Sequence, residues 1–385
     1  MATGNRTIEP AYIAEVVRLR ELDGGQSWSE VARAIGPRAD GTYSTLQVLQ
    51  QTYAKHYRKQ GLEPPVWGPV PPRAQTLHYG QSSPQRAAVG PQGATVADGP
   101  AEPTAGAVAQ VVTIRAEARA GWTQSVLVTS DHHFDHIDCD RSLLRHHLTQ
   151  AAERGAGVLV LGDLFCAMQG KMDRRASKPE LRPEYLVPGY MDAIVEDAVN
   201  WYAPFAPHLW LLTYGNHETK VTSYQETDIL KRFWRELTRQ PGGGGVLLGS
   251  YAGWLSMDCV MEGRPTQRVR LRYHHGWGGG GPVTLGVIGT NRQAAAADFD
   301  VYAQGHIHES WSVARMRETV GPDGGAVVRR VPYICAGTYK NEGTRGIGWH
   351  IETGKPPKPL GGYWLHLYWS ERQQAILSRT EEVEL

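Results

Sequence analysis

The chain predicts a layered α/β domain from about residue 111 to the end, preceded by a small three-helix head and a flexible linker. Three observations predict it. Short apolar runs alternate with helical spacers in the later part of the chain, four of those runs end in Asp, Asn or His, and a Pro/Gly/Ala-rich stretch separates them from a helix-patterned start.

The bulk properties narrow the class. With 385 residues the chain is too long for one small domain. Its 41% hydrophobic and 21% charged residues are those of a water-exposed globular protein, and no run of about 18 apolar residues offers a membrane span. The start, MATGNRTIEP, lacks the basic and apolar regions of a secretion signal, so a cytoplasmic protein without a membrane partner is expected. Cys139, Cys166, Cys259 and Cys335 form no C-x-x-C pair, which excludes a zinc ribbon or disulfide scaffold. The 40 Lys+Arg nearly cancel the 39 Asp+Glu, so any polyanion binding must be local. Nothing in the sequence sets the oligomeric state.

In residues 1–62, Ile13, Val16 and Val17 share a helical face that Asp23-Gly24-Gly25 ends. Ser27-Trp28-Ser29-Glu30 reads as a capping box opening a second helix, with Trp28, Val31 and Ile35 as its stripe. Gly36-Pro37 stops it, and a third helix aligns Leu46, Leu49, Tyr53 and Tyr57. The string SWSEVARAIG with its turn and polar third helix resembles a helix-turn-helix DNA-binding domain. That resemblance implies phosphate contacts from Lys55, Arg58 and Lys59; a protein-contact or assembly module would show the same pattern. Residues 63–110 hold too little apolar surface to order themselves and read as a tether.

In residues 111–385, Val126–Val128, Val158–Leu161, Leu209–Leu212 and Phe299–Tyr302 read as buried strands. Helices are expected near Arg141–Arg154, Met191–Tyr202 and Asp228–Arg239. Arg268 to Tyr273 alternates strictly, so one face is buried and the other carries Arg268, Arg270 and Arg272. Gly242–Gly245 and Gly278–Gly281 flank that strand, either as mobile loops over a site or as plain surface loops.

Eleven of the fifteen histidines fall between His132 and His308. The apolar runs lead into Asp131-His132-His133, Gly162-Asp163-Leu164-Phe165, Gly215-Asn216-His217-Glu218 and Gly305-His306-Ile307-His308, and the alternating strand into His274-His275-Gly276. In α/β sheets such groups converge where strands end. A mixed carboxylate, carboxamide and imidazole set suits Mn, Fe or Zn better than calcium.

The ordered strings D-x-H, G-D, G-N-H-E, H-G and G-H-x-H, followed by Ala336-Gly337-Thr338, resemble the calcineurin-like metallophosphoesterase superfamily from about Gln124 to Lys340. The resemblance implies a layered βαβ sandwich holding two divalent ions, Mn first, with Fe, Zn, Ni or Mg as alternatives. Asp131, His133 and His308 would hold one ion, and Asn216, His275 and His306 the other, with Asp163 bridging. A bridging hydroxide would then attack a phosphomonoester or phosphodiester, and His217 would assist the leaving oxygen. D-x-H selects His133 over His132, and strand alternation selects His275 over His274. His274 becomes a candidate phosphate contact, as do Arg270 and Arg272. Asp135 and His136 are candidate orienting residues, Glu218 is expected to face away, and Cys166 reads as a buried thiol more readily than as a ligand.

Three functions compete. The first is a phosphodiesterase or nuclease acting on DNA tethered by the head. The second is a phosphoesterase for a cyclic nucleotide or phosphoprotein, with the head used for recruitment. The third is a non-enzymatic DNA-binding scaffold, which the costly burial of a full donor set disfavours.

Overall fold

The computed structural model describes residues 94–96, 109–167, 180–279, 281, 283–321, 324–342, 349–352, 354 and 356–384. All belong to the second of the two units into which the chain divides, Pro84–Leu385. The helix-turn-helix expectation, with Lys55, Arg58 and Lys59, lies outside the described residues. So does the linker expectation, apart from Ala94–Val96, residue 109 and Gln110.

Strand β1 (Ala94–Val96) pairs antiparallel with β2 (Gln110–Arg115), with Ala94 opposite Ile114. Edge addition uses backbone N–H and C=O groups that nearly every residue carries, so composition does not register it.

Strand β3 (Thr123–Thr129), α1 (Arg141–Glu153), β4 (Gly157–Val160), α2 (Tyr190–Tyr202) and β5 (Leu209–Leu212) then alternate as expected. Asp140 caps α1 by accepting from Leu143 N–H. Helix α3 (Asn216–Gln225), which periodicity had not indicated, precedes α4 (Ile229–Thr238), where Asp228 plays the same capping part. After β6 (Leu247–Leu248) come β7 (Ala252–Val260) and the arginine-bearing β8 (Gln267–His274), whose alternation is as expected, with Val269, Leu271 and Tyr273 buried. Helix α5 (Gly289–Ala296), β9 (Val301–Gln304), the hairpin β10 (Trp311–Val320) with β11 (Ala326–Cys335), α6 (Trp349–Glu352) and the hairpin β12 (Tyr363–Ser370) with β13 (Ala375–Glu382) complete it.

Two sheets result, ordered β1-β2-β7-β8-β9-β11-β10 and β13-β12-β3-β4-β5-β6. Leu255, Met257, Leu271 and Val301 of the first meet Val126, Val128, Leu159 and Leu365 of the second in a dry interior. The outer face of the second sheet packs Val158, Val160 and Leu212 on Leu144, Leu148, Ile194 and Phe233 of α1, α2 and α4. This is the layered α/β sandwich expected; each such side chain contributes roughly 1.5–3 kcal/mol on burial.

The topology positions the loops. Strands β3, β4 and β5 run parallel, as do β8, β9 and β11. Within each set the carboxyl ends therefore open on one edge, where the Asp, Asn and His strings begin. Among the described residues no helix is long and apolar enough to cross a membrane.

Candidate metal centre

Two donor groups assemble from these loops. Asp131, His133 and His308 each offer one ligand atom within 4.8 Å of the others, and so do Asp163, His275 and His306. In the first group His308 Nε2 lies 3.3 Å from Asp131 Oδ1 and 3.2 Å from His133 Nε2. In the second, His275 Nε2 lies 3.2 Å from Asp163 Oδ2 and 3.1 Å from Asn216 Oδ1. The groups are joined, because Asp131 Oδ2 accepts the backbone N–H of His306 at 2.7 Å.

The proton inventory at His275 calls for a cation. Its Nδ1 meets the Leu161 carbonyl at 2.7 Å, and a carbonyl only accepts, so Nδ1 carries hydrogen. Its Nε2 faces two further acceptors, so that nitrogen needs either a second proton or a metal ion. Burial alone would depress the imidazole pKa, but the adjacent Asp163 carboxylate overrides it and raises the value to about 10. In the first group, Asp131 Oδ1 is buried without a hydrogen-bond partner. An orphaned buried acceptor of this kind is what a cation satisfies. The two His/Asp clusters are compatible with a dinuclear metal site.

The backbone is strained where the donors sit. Among the described residues nine non-glycine residues have positive φ, and Asp131, His133, Asp163, His306 and His308 are five of them. Such conformations persist only when the surroundings over-determine them, and they gather at functional sites. Two motif glycines are required by close approach. A Cβ on Gly215 would overlap the Asp163 carboxylate and amide, and one on Gly305 would overlap Ser130 Oγ.

Sandwich, strand-end loops and donor order thus agree. That donor order resembles the one found in calcineurin-like metallophosphoesterases.

No family model and no curated protein match the chain. Three solved structures illustrate what it is similar to. Calcineurin-like phosphoesterase YfkN from Bacillus subtilis is 12% identical, with 68% of this chain and 90% of that chain covered and a TM-score of 0.30. A conserved uncharacterized protein, predicted phosphoesterase, from Streptococcus pneumoniae TIGR4 is 11% identical over 68% and 98%, with a TM-score of 0.26. Vacuolar Protein Sorting 29 from Cryptosporidium parvum is 13% identical over 68% and 99%, also with a TM-score of 0.26. The likeness to the metallophosphoesterases rests on donor order and on the two clusters.

The remaining candidates divide. His132 turns into the core, with Nδ1 2.8 Å from Tyr202 Oη and Nε2 2.9 Å from Thr129 Oγ1; burial holds its pKa down at about 3. His217 stands beside the second cluster: its N–H donates to Asp163 Oδ1 at 2.9 Å and its Nε2 is 3.7 Å from Oδ2. Its Nδ1 meets the Cys166 carbonyl at 2.7 Å. His274 accepts the Gly276 N–H and sets its ring edge-on to Tyr251 and Trp277. The arginines are engaged within the fold: Arg268 with Asp258, Arg270 with Asp298 and Asp300, and Arg272 on the Gly253 carbonyl and above Trp254.

Glu218, Asp135 and His136 differ in what they touch. Glu218, expected to face away, is fully buried and accepts the N–H groups of Asp163, Phe165 and Gly215. Asp135 accepts those of Cys166 and Ala167, while His136 contacts Asp138 and Glu180 instead of a cluster. Thr338 Oγ1 donates to the Asp131 carbonyl at 2.8 Å, which gives the Ala336-Gly337-Thr338 turn its use. Of the glycine tracts, Gly243–Gly245 forms a 3₁₀ turn. Gly278 and Gly279 line a cavity of about 250 Å³ with Trp277, Ile288, Arg292 and Ile307.

Proposed function

We propose that this domain is a dinuclear metal-dependent phosphoester hydrolase, and that its substrate is a phosphodiester in DNA. The observation that carries the reading is the pair of joined clusters, each with one carboxylate. In this reading Asp131, His133 and His308 hold one divalent ion, and Asn216, His275 and His306 the other, with Asp163 between them. Mn suits the mixed N/O donor set, with Fe, Zn, Ni or Mg as alternatives. Bound there, the ions would supply Lewis acidity and activation of water.

The chain's own groups supply the rest. His217 donates its Nδ1 hydrogen to the Cys166 carbonyl, so the neutral ring has its lone pair on Nε2 and the protonated ring has a donor there. That atom is poised beside Asp163 to protonate a departing alkoxide. Glu218 and Asp135 hold the loop from Asp163 to Ala167 rigid by taking its amides. The Asp131 backbone is clasped by Thr338 Oγ1 and Tyr339 N–H.

The cavity at Trp277 favours a nucleic-acid ester. It is smaller than the roughly 300–1,000 Å³ that encloses a whole ligand, so it takes part of one. The half-exposed Trp277 can stack on a base, and the exposed Arg292 can meet a phosphate. A cytoplasmic location and recruitment of DNA by the head through Lys55, Arg58 and Lys59 belong to the same proposal.

A substrate panel with added Mn tests it: linear and nicked DNA, RNA, cyclic nucleotides, bis-p-nitrophenyl phosphate and p-nitrophenyl phosphate. Cleavage of DNA and the small diester, abolished by EDTA, is expected. Turnover confined to monoesters or cyclic nucleotides would replace DNA as the substrate, and no turnover of any ester would leave a scaffold.

A further inference from the structure

A third donor group lies beside the two carboxylate-bearing clusters. His133, Cys166 and His217 each present one ligand atom, all within 4.8 Å of one another. His133 and Cys166 are buried and His217 is nearly so. The phosphoester reading uses His133 and His217 but leaves the thiol without a part.

We propose that His133, Cys166 and His217 form a thiolate-bearing site for a soft, thiophilic cation, and that its occupation silences the domain by capturing His217. The inference rests on the reading of His217 as proton donor.

Three features argue for it. The hydrogen bond from His217 Nδ1 to the Cys166 carbonyl leaves Nε2 as the coordinating atom and ties the ring to the residue that carries the thiol. His133 has two ring nitrogens: Nε2 meets His308, while Nδ1 is buried without a hydrogen-bond partner. Cys139, Cys259 and Cys335 are also buried and free, yet among the described residues only Cys166 joins imidazoles in such a group.

The chemistry separates the sites by softness. A thiolate with two imidazoles selects zinc-like and cadmium-like ions, whereas carboxylate-bearing groups also serve harder ions such as Mn. Three protein donors leave one position open, as four-coordinate zinc allows, with bonds of about 2.3 Å to sulfur and 2.0–2.1 Å to nitrogen. On binding, the Cys166 S–H bond is replaced by a sulfur–metal bond and, where His133 Nε2 already holds an Mn ion, the His133 Nδ1–H bond by a nitrogen–metal bond; both protons leave to the buffer. The cation then occupies the His217 lone pair, and no proton can be delivered from that nitrogen.

The test is a Cd(II) titration of the full-length, Mn-loaded protein, followed by the ultraviolet thiolate-to-cadmium charge-transfer band. The wild type should develop the band with one equivalent and lose turnover of bis-p-nitrophenyl phosphate in parallel. Cys166→Ser should show no band and resist the same Cd(II) concentration. His217→Ala should shift the midpoint of the band to higher Cd(II). Circular dichroism and Mn content confirm folding, and Cys166→Ala replaces the serine variant if that one does not fold. A missing band in the wild type, or an equal band in both Cys166 variants, overturns the site. A Cys166-dependent band in a protein inactive on every ester would instead overturn the hydrolase reading and keep the cation site.

Discussion

Glu218 holds Asp163 by its backbone: Oε2 accepts the Asp163 N–H at 3.1 Å and the Gly215 N–H at 2.8 Å. One buried carboxylate thus ties the loop after β4 to the start of α3, and with it the Asp163 carboxylate to Asn216 and His217. Glu218→Gln keeps the shape but turns an amide N–H₂ towards one of these donors. A loss of about 1–3 kcal/mol is expected from the unsatisfied group. Metal affinity should fall roughly 10–100-fold. Thermal unfolding and a Mn titration check both, and unchanged values would remove the positioning role.

Asp163→Ala should abolish turnover and metal retention together, since this carboxylate is the proposed bridge. Elemental analysis beside a bis-p-nitrophenyl phosphate assay reads the two quantities. An active, metal-free variant would sink the two-metal proposal.

His217→Ala separates chemistry from metal binding. Turnover should drop by about two to four orders of magnitude, the contribution of a positioned proton donor. Metal content should stay at the wild-type level. Loss of metal in this variant would make His217 a ligand.

Proton release should accompany metal loading. The pKa of His275 is raised from 6.5 to about 10, so in metal-free protein at neutral pH its Nε2 keeps a proton that an ion must displace. Metal affinity therefore rises with pH up to about 10. The sign for stability is opposite: because the folded value exceeds the unfolded one, this contribution to the metal-free fold is complete below about pH 6.5 and is lost as pH rises through about 10. Calorimetry in buffers of different ionisation enthalpy counts the protons, and zero release would refute the assignment.

Arg292→Ala should weaken DNA binding about equally for all sequences and reduce the salt slope by roughly 1, as loss of one phosphate contact demands. Filter binding across a salt series measures it. An unchanged slope would place DNA elsewhere on the protein.

Local pattern determined a good deal by itself. The runs at β3, β4, β5 and β9, the Asp140- and Asp228-capped helices and the alternation of β8 are short-range signals, carried by periodicity and capping chemistry. Gly215 and Gly305 stood in the motif strings, but only the fold shows why they are glycines: Asp163 and Ser130, far away in the chain, lie too close there for a Cβ. What only the tertiary structure decided depends on contacts between residues far apart in the chain. His132 turns to Tyr202 while its neighbour His133 meets His308, although adjacent histidines look alike in one dimension. Glu218 and Asp135 find their purpose only when β4, α3 and the loop after β3 converge, because the groups they satisfy are backbone amides with no residue signature. Asp298 and Asp300, nearly thirty residues on, stand beside Arg270 and pair with its charge, a neighbourhood that the alternation of β8 alone does not show.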